Sequence, residues 1–243
     1  DTRWTKDKWE RYIREDIGNA DFNSALAMRG DRWRVAACSL ASSSSSNDGV
    51  AVLYRSTQKR GVPLKLVLSR DVDVGLDVQG AGTKGRACVA AFAHPRTAGG
   101  LLYVASVYGW PGADVQRPAG EATRAMLQTV LHAVDADRRP RGTGDEALLV
   151  CGDFNATMFT SDRSGDAASP HGELAIEPVT TRCADASIST LDGSDEANWP
   201  QPTSAAWHGS KSSLDLIYVS PLLQGNVPRL DVMSPIVLRD ASI

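Results

Sequence analysis

Ala147 to Cys151 form an unbroken apolar run that ends abruptly in Gly152, Asp153, Phe154 and Asn155. Such a run reads as a buried strand, and a buried strand needs layers on both sides of it. At its end, strand alternation aims Asp153 and Asn155 to one side and sends Phe154 back into the core. Gly152 lets the backbone bend or a ligand approach closely. A carboxylate placed there can accept or orient a proton of water, and an amide can donate to an oxyanion. The alternative is a strand end closed by an Asx-turn, with no chemistry attached.

The rest of the chain supplies such layers. Short β-type runs occur at Val50–Tyr54, Leu64–Leu68, Ala87–Phe92, Leu101–Val107, Leu214–Val219 and Val232–Leu238. Ser220–Pro221 stops the fifth, and Pro235 marks the last as an edge or bulged strand. Thr5 caps a predicted helix through Trp9, Tyr12, Ile13 and Ile17. Glu121 to Val134 is the clearest helix, with Ala122, Ala125, Met126, Thr129, Val130 and Ala133 on one face. Glu121 is expected in its first turn, where the macrodipole favours an acid. Gly80 to Gly85 should turn between two antiparallel strands, and residues 156–202 are predicted as a long loop. No Gly-rich nucleotide loop interrupts this order. The expected fold is α/β (α+β), with strands paired in layers and helices packed outside.

Composition narrows the function classes. The chain has 26 basic and 29 acidic side chains, a net charge of −3, which excludes a polybasic nucleic-acid binder but not an enzyme acting on phosphodiesters. Acidic residues concentrate after residue 160, where a carboxylate-rich stretch is a solvated surface or holds a cation. No apolar run reaches the ~18 residues of a membrane span, and residues 1–10 lack the apolar stretch of a signal peptide. Cys38, Cys88, Cys151 and Cys183 are too scattered for a zinc knuckle; they read as buried thiols, with one disulfide as the other option.

Gly152–Asp153–Phe154–Asn155–Ala156 after an apolar strand resembles the central signature of the endonuclease/exonuclease/phosphatase family. That family includes AP endonucleases, pancreatic-type DNases, endonuclease domains of LINE-type retrotransposons, inositol phosphatases and sphingomyelinases. Four further stretches follow in the family's order. Asp48 to Tyr54 is similar to its Gly-Gly-Val-Ala-Ile-Leu strand. Leu101 to Pro111 is similar to its Asn-x-Tyr-x-Pro segment, with Tyr108 at the tyrosine and Ser106 in place of the Asn. Pro202–Thr203 with Trp207–His208–Gly209 resembles a Thr-containing strand. Ser212 to Pro221 resembles Ser-Arg-Ile-Asp-Tyr-Ile-Leu-Val-Ser, with Asp215 at the aspartate that orients the catalytic histidine and Ser213 in place of the basic residue.

The resemblance implies a four-layered α/β sandwich, two packed and mostly antiparallel sheets flanked by helices, as one domain over residues 1–243. It implies in-line hydrolysis of a phosphodiester with Mg²⁺ or Mn²⁺. Asp153 would activate water, Asn155 and Tyr108 would bind the phosphate, and Asp215 would orient a histidine. Asp1 stands where the family has a metal-binding Glu, unless it is simply the end of the chain; Asp240 is the second candidate metal residue, and either it is the aspartate of the terminal Ser-Asp-His, with Ala241 where the His would be, or that motif lies beyond Ile243. His94, His132, His171 and His208 do not fit that histidine. The expectation is a domain truncated at both ends, the alternative being a lost histidine. Trp110, Thr203 and Trp207 are candidate nucleic-acid contacts, the tryptophans by stacking on bases or else by packing in the core.

The implied activity is a DNA endonuclease of retrotransposon or AP-endonuclease type, monomeric, off the membrane, intracellular with the nucleus as one option, and followed in a longer chain by a reverse transcriptase. The alternatives are a phosphatase or phosphodiesterase acting on inositol or lipid phosphates, and a degenerate domain that binds nucleic acid without cutting it.

Overall fold

The computed structural model describes residue 7 and residues 32–40, 49–57, 64–75, 84–93, 100–138, 147–157, 171–185, 204–205, 211–212 and 214–224. Ten strands and three helices fall within them. In chain order they are β1 (Arg32–Leu40), β2 (Gly49–Thr57), β3 (Lys65–Val72), β4 (Ala87–Ala93), β5 (Leu101–Tyr108), α1 (Arg117–Arg138), β6 (Ala147–Asp153), α2 (Gly172–Thr180), β7 (Ala184–Asp185), β8 (Ser204–Ala205), β9 (Lys211–Ser212), β10 (Asp215–Val219) and α3 (Pro221–Gln224).

Six strands make the central sheet, in the order β3-β4-β5-β6-β10-β7. Only β5 and β6 run parallel there, joined by the crossover that contains α1. β3 and β4 pair antiparallel, as the expected turn between them requires, but residues 80–83 of that turn lie outside the described residues. β6 is apolar from Ala147 to Cys151, and its Ala147, Leu148 and Val150 are buried, Leu148 and Val150 in the helix-side core.

The helical side holds the larger core. Val89, Ala105, Val107, Leu148, Val150 and Phe154 pack there against Met126, Leu127 and Val130 of α1 and Ile176 and Val179 of α2. Phe154 meets Tyr218 edge to face at 5.4 Å. On the opposite side Cys88, Ala90 and Phe92 of β4 pack against Ala36 and Ala37 of β1 and Val50 and Val52 of β2. β1 and β2 form their own antiparallel sheet. Two sheets with helices outside are therefore present, as the sequence implies. Of the predicted Thr5–Ile17 helix only the helical Asp7 is described, and the predicted Val232–Leu238 strand lies outside the described residues.

Several local expectations are corrected. The α1 helix starts at Arg117, so Glu121 is not in its first turn and instead pairs with Arg117 at 2.8 Å. Its buried stripe runs through Ala122, Thr123, Met126, Leu127, Val130, Leu131 and Val134. Ala125, Thr129 and Ala133 sit at its half-buried margin, because the leucines rather than the small residues turn to the sheet. The predicted 156–202 loop contains α2 and β7. β1 carried no strand signal in the sequence beyond Trp33 and Val35, and it forms by pairing with β2. No disulfide joins any of the four cysteines, all of which are described; burial pushes the Cys151 thiol up to about 11. No helix among the described residues is long and apolar enough to cross a membrane.

Candidate active site

Three neighbouring strands of the central sheet deliver one residue each to a single row. Tyr108 ends β5 and sits opposite Asp153, which ends β6; Asp215 opens β10 and sits opposite Asp153 from the other side. Register partners project to the same face of a sheet. Tyr108 packs beside the β1–β2 sheet, so the row lies on that face.

The pairing brings the two carboxylates close. The next pair along is hydrogen-bonded, Phe154 N donating to Leu214 O at 2.8 Å. Asp153 and Asp215 therefore form a non-hydrogen-bonded pair, the type in which facing side chains come nearest. Like charges directly opposite each other destabilise a sheet. Burial pushes the Asp153 carboxyl up to about 6; the Asn155 N–H pulls it down, the Asp215 charge raises it further, and the Arg86 guanidinium lowers it.

Asn155 reaches the same place by a different route from the one expected. The strand stops at Asp153, and Asn155 adopts a left-handed backbone with φ 49°. Its N–H donates to Asp153 Oδ1 at 2.9 Å, which is an Asx-turn rather than continued strand alternation. The turn and the chemical reading thus coexist. Asn155 Nδ2 donates to Gly109 O at 3.0 Å, and the second N–H of the amide remains a donor for a ligand.

Two glycines let the backbones close up here. A Cβ on Gly152, whose φ is +146°, would stand 2.0 Å from Val107 O. A Cβ on Gly109 would stand 2.0 Å from Phe154 O, because Gly109 N donates to Asp153 O at 2.7 Å. The main chains of β5 and β6 thus meet directly behind the carboxylates.

Trp110 corrects the base-stacking expectation. It is 2% exposed, belongs to the helix-side core, and its backbone N–H donates to Thr123 Oγ1 at 3.0 Å. The packing alternative holds, since a ring enclosed by α1 and the sheet presents no face to a base. Asp1, Thr203, Trp207 and Asp240 lie outside the described residues, as do His94 and His208. His132 is exposed on α1 and His171 opens α2, both in the helical layer.

Sequence reasoning missed Arg86. This side chain is 2% exposed, with its guanidinium 4.6 Å from the Tyr108 ring centroid and 5.1 Å from that of Trp110. A cation leading straight into the apolar run Ala87–Phe92 was the available signal.

Among the described residues no group of three or more His, Cys, Asp or Glu gathers as a metal cage. Asp153, Asp215 and the Asn155 carbonyl are nonetheless hard oxygen donors of the kind Mg²⁺ takes. Asp153 is raised mainly by burial and further by the facing Asp215 charge, and a divalent cation there would favour its ionised form.

The two packed sheets with helices outside define an α/β sandwich with a carboxylate row at the end of its central strands. Residues 5–232 match the model of the Endonuclease/Exonuclease/phosphatase family, and the chain belongs to that family. Members are hydrolases acting on phosphodiester bonds and generally use divalent metals. Similar solved structures agree on the fold. A 3' phosphatase from Neisseria bound to a product DNA hairpin is 17% identical, with TM-score 0.53, over 83% of this chain and 71% of its own. A 3'-5' exonuclease from Neisseria Meningitidis is 16% identical, with TM-score 0.51, over 84% of this chain and 72% of its own. ANGEL2, a 2',3'-cyclic phosphatase, is 12% identical, with TM-score 0.51, over 85% of this chain and 67% of its own. The chain thus spans about two thirds of the length of the structures it matches. No curated protein sequence matches it.

Proposed function

We propose that the chain is a divalent-metal-dependent phosphodiester hydrolase acting on DNA, an endonuclease of the retrotransposon or AP-endonuclease kind. The observation that carries this reading is the in-register row Tyr108–Asp153–Asp215, which sets two carboxylates and a phenol side by side at the end of three central strands. Asp153, held near pKa 6, is ionised at neutral pH yet basic enough to take a proton from water. The Asn155 amide and the Tyr108 hydroxyl serve as donors to the phosphate oxygens. Asp153 and Asp215 would hold an Mg²⁺ or Mn²⁺ ion, together with Asp1 or Asp240. Such an ion supplies Lewis-acid stabilisation of charge on the phosphate.

The test is nicking of supercoiled plasmid with Mg²⁺, repeated with chelator and with Asp153→Ala. Nicking that chelator and the substitution both abolish supports the reading. Release of phosphate from an inositol phosphate without nicking would replace DNA by a small phosphoester. DNA binding with neither activity would make this a binding domain.

A further inference from the structure

Arg86 stands where no catalytic contact needs it, immediately before β4 and 2% exposed. Burying a guanidinium carries a desolvation penalty of several kcal/mol, and an apolar residue of similar volume is often as stable or more so. Core stability alone does not explain it. Several of its contacts lead to the active-site row. The guanidinium lies over the Tyr108 ring, 4.6 Å from its centroid, and over the Trp110 ring, 5.1 Å from its centroid. One nitrogen donates to Gly109 O at 3.3 Å, the same carbonyl that takes Asn155 Nδ2 at 3.0 Å. Its own carbonyl accepts Tyr108 N at 2.8 Å. The turn before it is tied to the second sheet, Gly85 N donating to the buried Ser39 Oγ at 2.9 Å.

We propose that Arg86 is a positioning residue: it sets the plane of the Tyr108 ring and, through the Gly109 carbonyl, the orientation of the Asn155 amide. This role deepens the hydrolase reading and rests on it. Trp110 is the back wall of the clamp, which gives its burial a purpose beyond core filling. Arg86 is 2% exposed, so it acts through its neighbours and not by touching substrate.

Arg86→Lys tests it mildly, because lysine keeps the charge and a donor but lacks the flat face that lies over the two rings. In the full 243-residue chain acting on plasmid DNA with Mg²⁺, kcat should fall about 10- to 100-fold, the size of effect expected from a misplacement near 1 Å, while KM stays within about threefold. In an Asn155→Ala background the same substitution should cost little more, since both changes act on one carbonyl. Strictly additive losses, or an unchanged kcat, would overturn the proposal. A second readout does not depend on cleavage. The Asn155 side-chain amide resonances of ¹⁵N-labelled protein should move toward those of a freely rotating amide in Arg86→Lys. If they stay in place in the folded variant, Arg86 does not position Asn155, whatever the chain does to DNA. If they move while the unaltered chain cuts no phosphodiester, the hydrolase reading fails and the positioning of Asn155 stands.

Discussion

The β6–β10 ladder has two ends made from the same two strands and built differently. At one end Val219 faces Leu149, and Ser220 closes the ladder twice: its N–H donates to Leu148 O at 2.9 Å and its Oγ accepts from Leu148 N at 3.0 Å. At the other end Asp215 faces Asp153, Gly152 sits at φ +146° and Asn155 at φ 49°. The first end is apolar and fully paired. The second gathers like charges and uncommon backbone. Register connects them, because a slip of one residue would turn every side chain of β10 to the other face. The closed end holds the register that the open end needs.

The comparison breaks most visibly at Gly152. Gly152→Ala puts a Cβ 2.0 Å from Val107 O on a backbone that resists side chains. Stability should fall by at least ~3 kcal/mol, or no folded protein should be recovered; urea unfolding reads this. A fully stable variant would show that the backbones do not need their close approach.

Asp153→Asn should act in the opposite sense. Hydrolysis should drop on the order of 10³-fold, yet stability should not. The folded carboxyl titrates near 6 against an ordinary 3.8, so the native state binds the proton more tightly. The carboxylate therefore lowers stability progressively from about pH 4 to about pH 6, and the penalty persists above that. Metal-free urea titrations at pH 4.5 and 7.5 should show Asp153→Asn gaining on the unaltered protein as pH rises. The reverse trend would place a stabilising partner at the open end.

At the closed end Ser220→Ala leaves the buried Leu148 N–H without its acceptor. A loss of about 1–3 kcal/mol is expected, with kcat of the folded protein unchanged. A large fall in kcat with intact stability would merge the two ends into one functional unit. The smallest shift belongs to the exposed Asp215. Asp215→Asn should change stability by less than ~0.5 kcal/mol, read by thermal melting, while hydrolysis falls.

What the sequence made legible follows the strength of local signals. β6, β5, β10 and α1 announce themselves by unbroken or periodic apolar runs, and Gly152 to Asn155 marks the site at the end of one of them. α2 did not, because it is short, carries Pro178 inside it and has no side-chain cap from His171; burial of Ala175, Ile176 and Val179 stabilises it instead. β1 was hidden for a similar reason, its centre being Ala36 and Ala37, poor strand formers held by the second sheet. Asn155 was expected to continue the strand beside Asp153, whereas its backbone turns at φ 49° and its N–H closes on Asp153 Oδ1. Arg86 was missed because a cation between Gly85 and an apolar strand looks like a solvated turn; its partners Tyr108 and Trp110 lie on a distant stretch of chain.

Tyr108, Asp153 and Asp215 come from three segments that meet only after β5, the α1 crossover, β6 and β10 have assembled. None of these contacts is local, so the row has no precursor in any single hairpin or helix. Chain closure over such separations is slow compared with helix formation. During refolding, helical signal from α1 should return well before catalytic competence, and the lag between the two is a clock for the docking of β10.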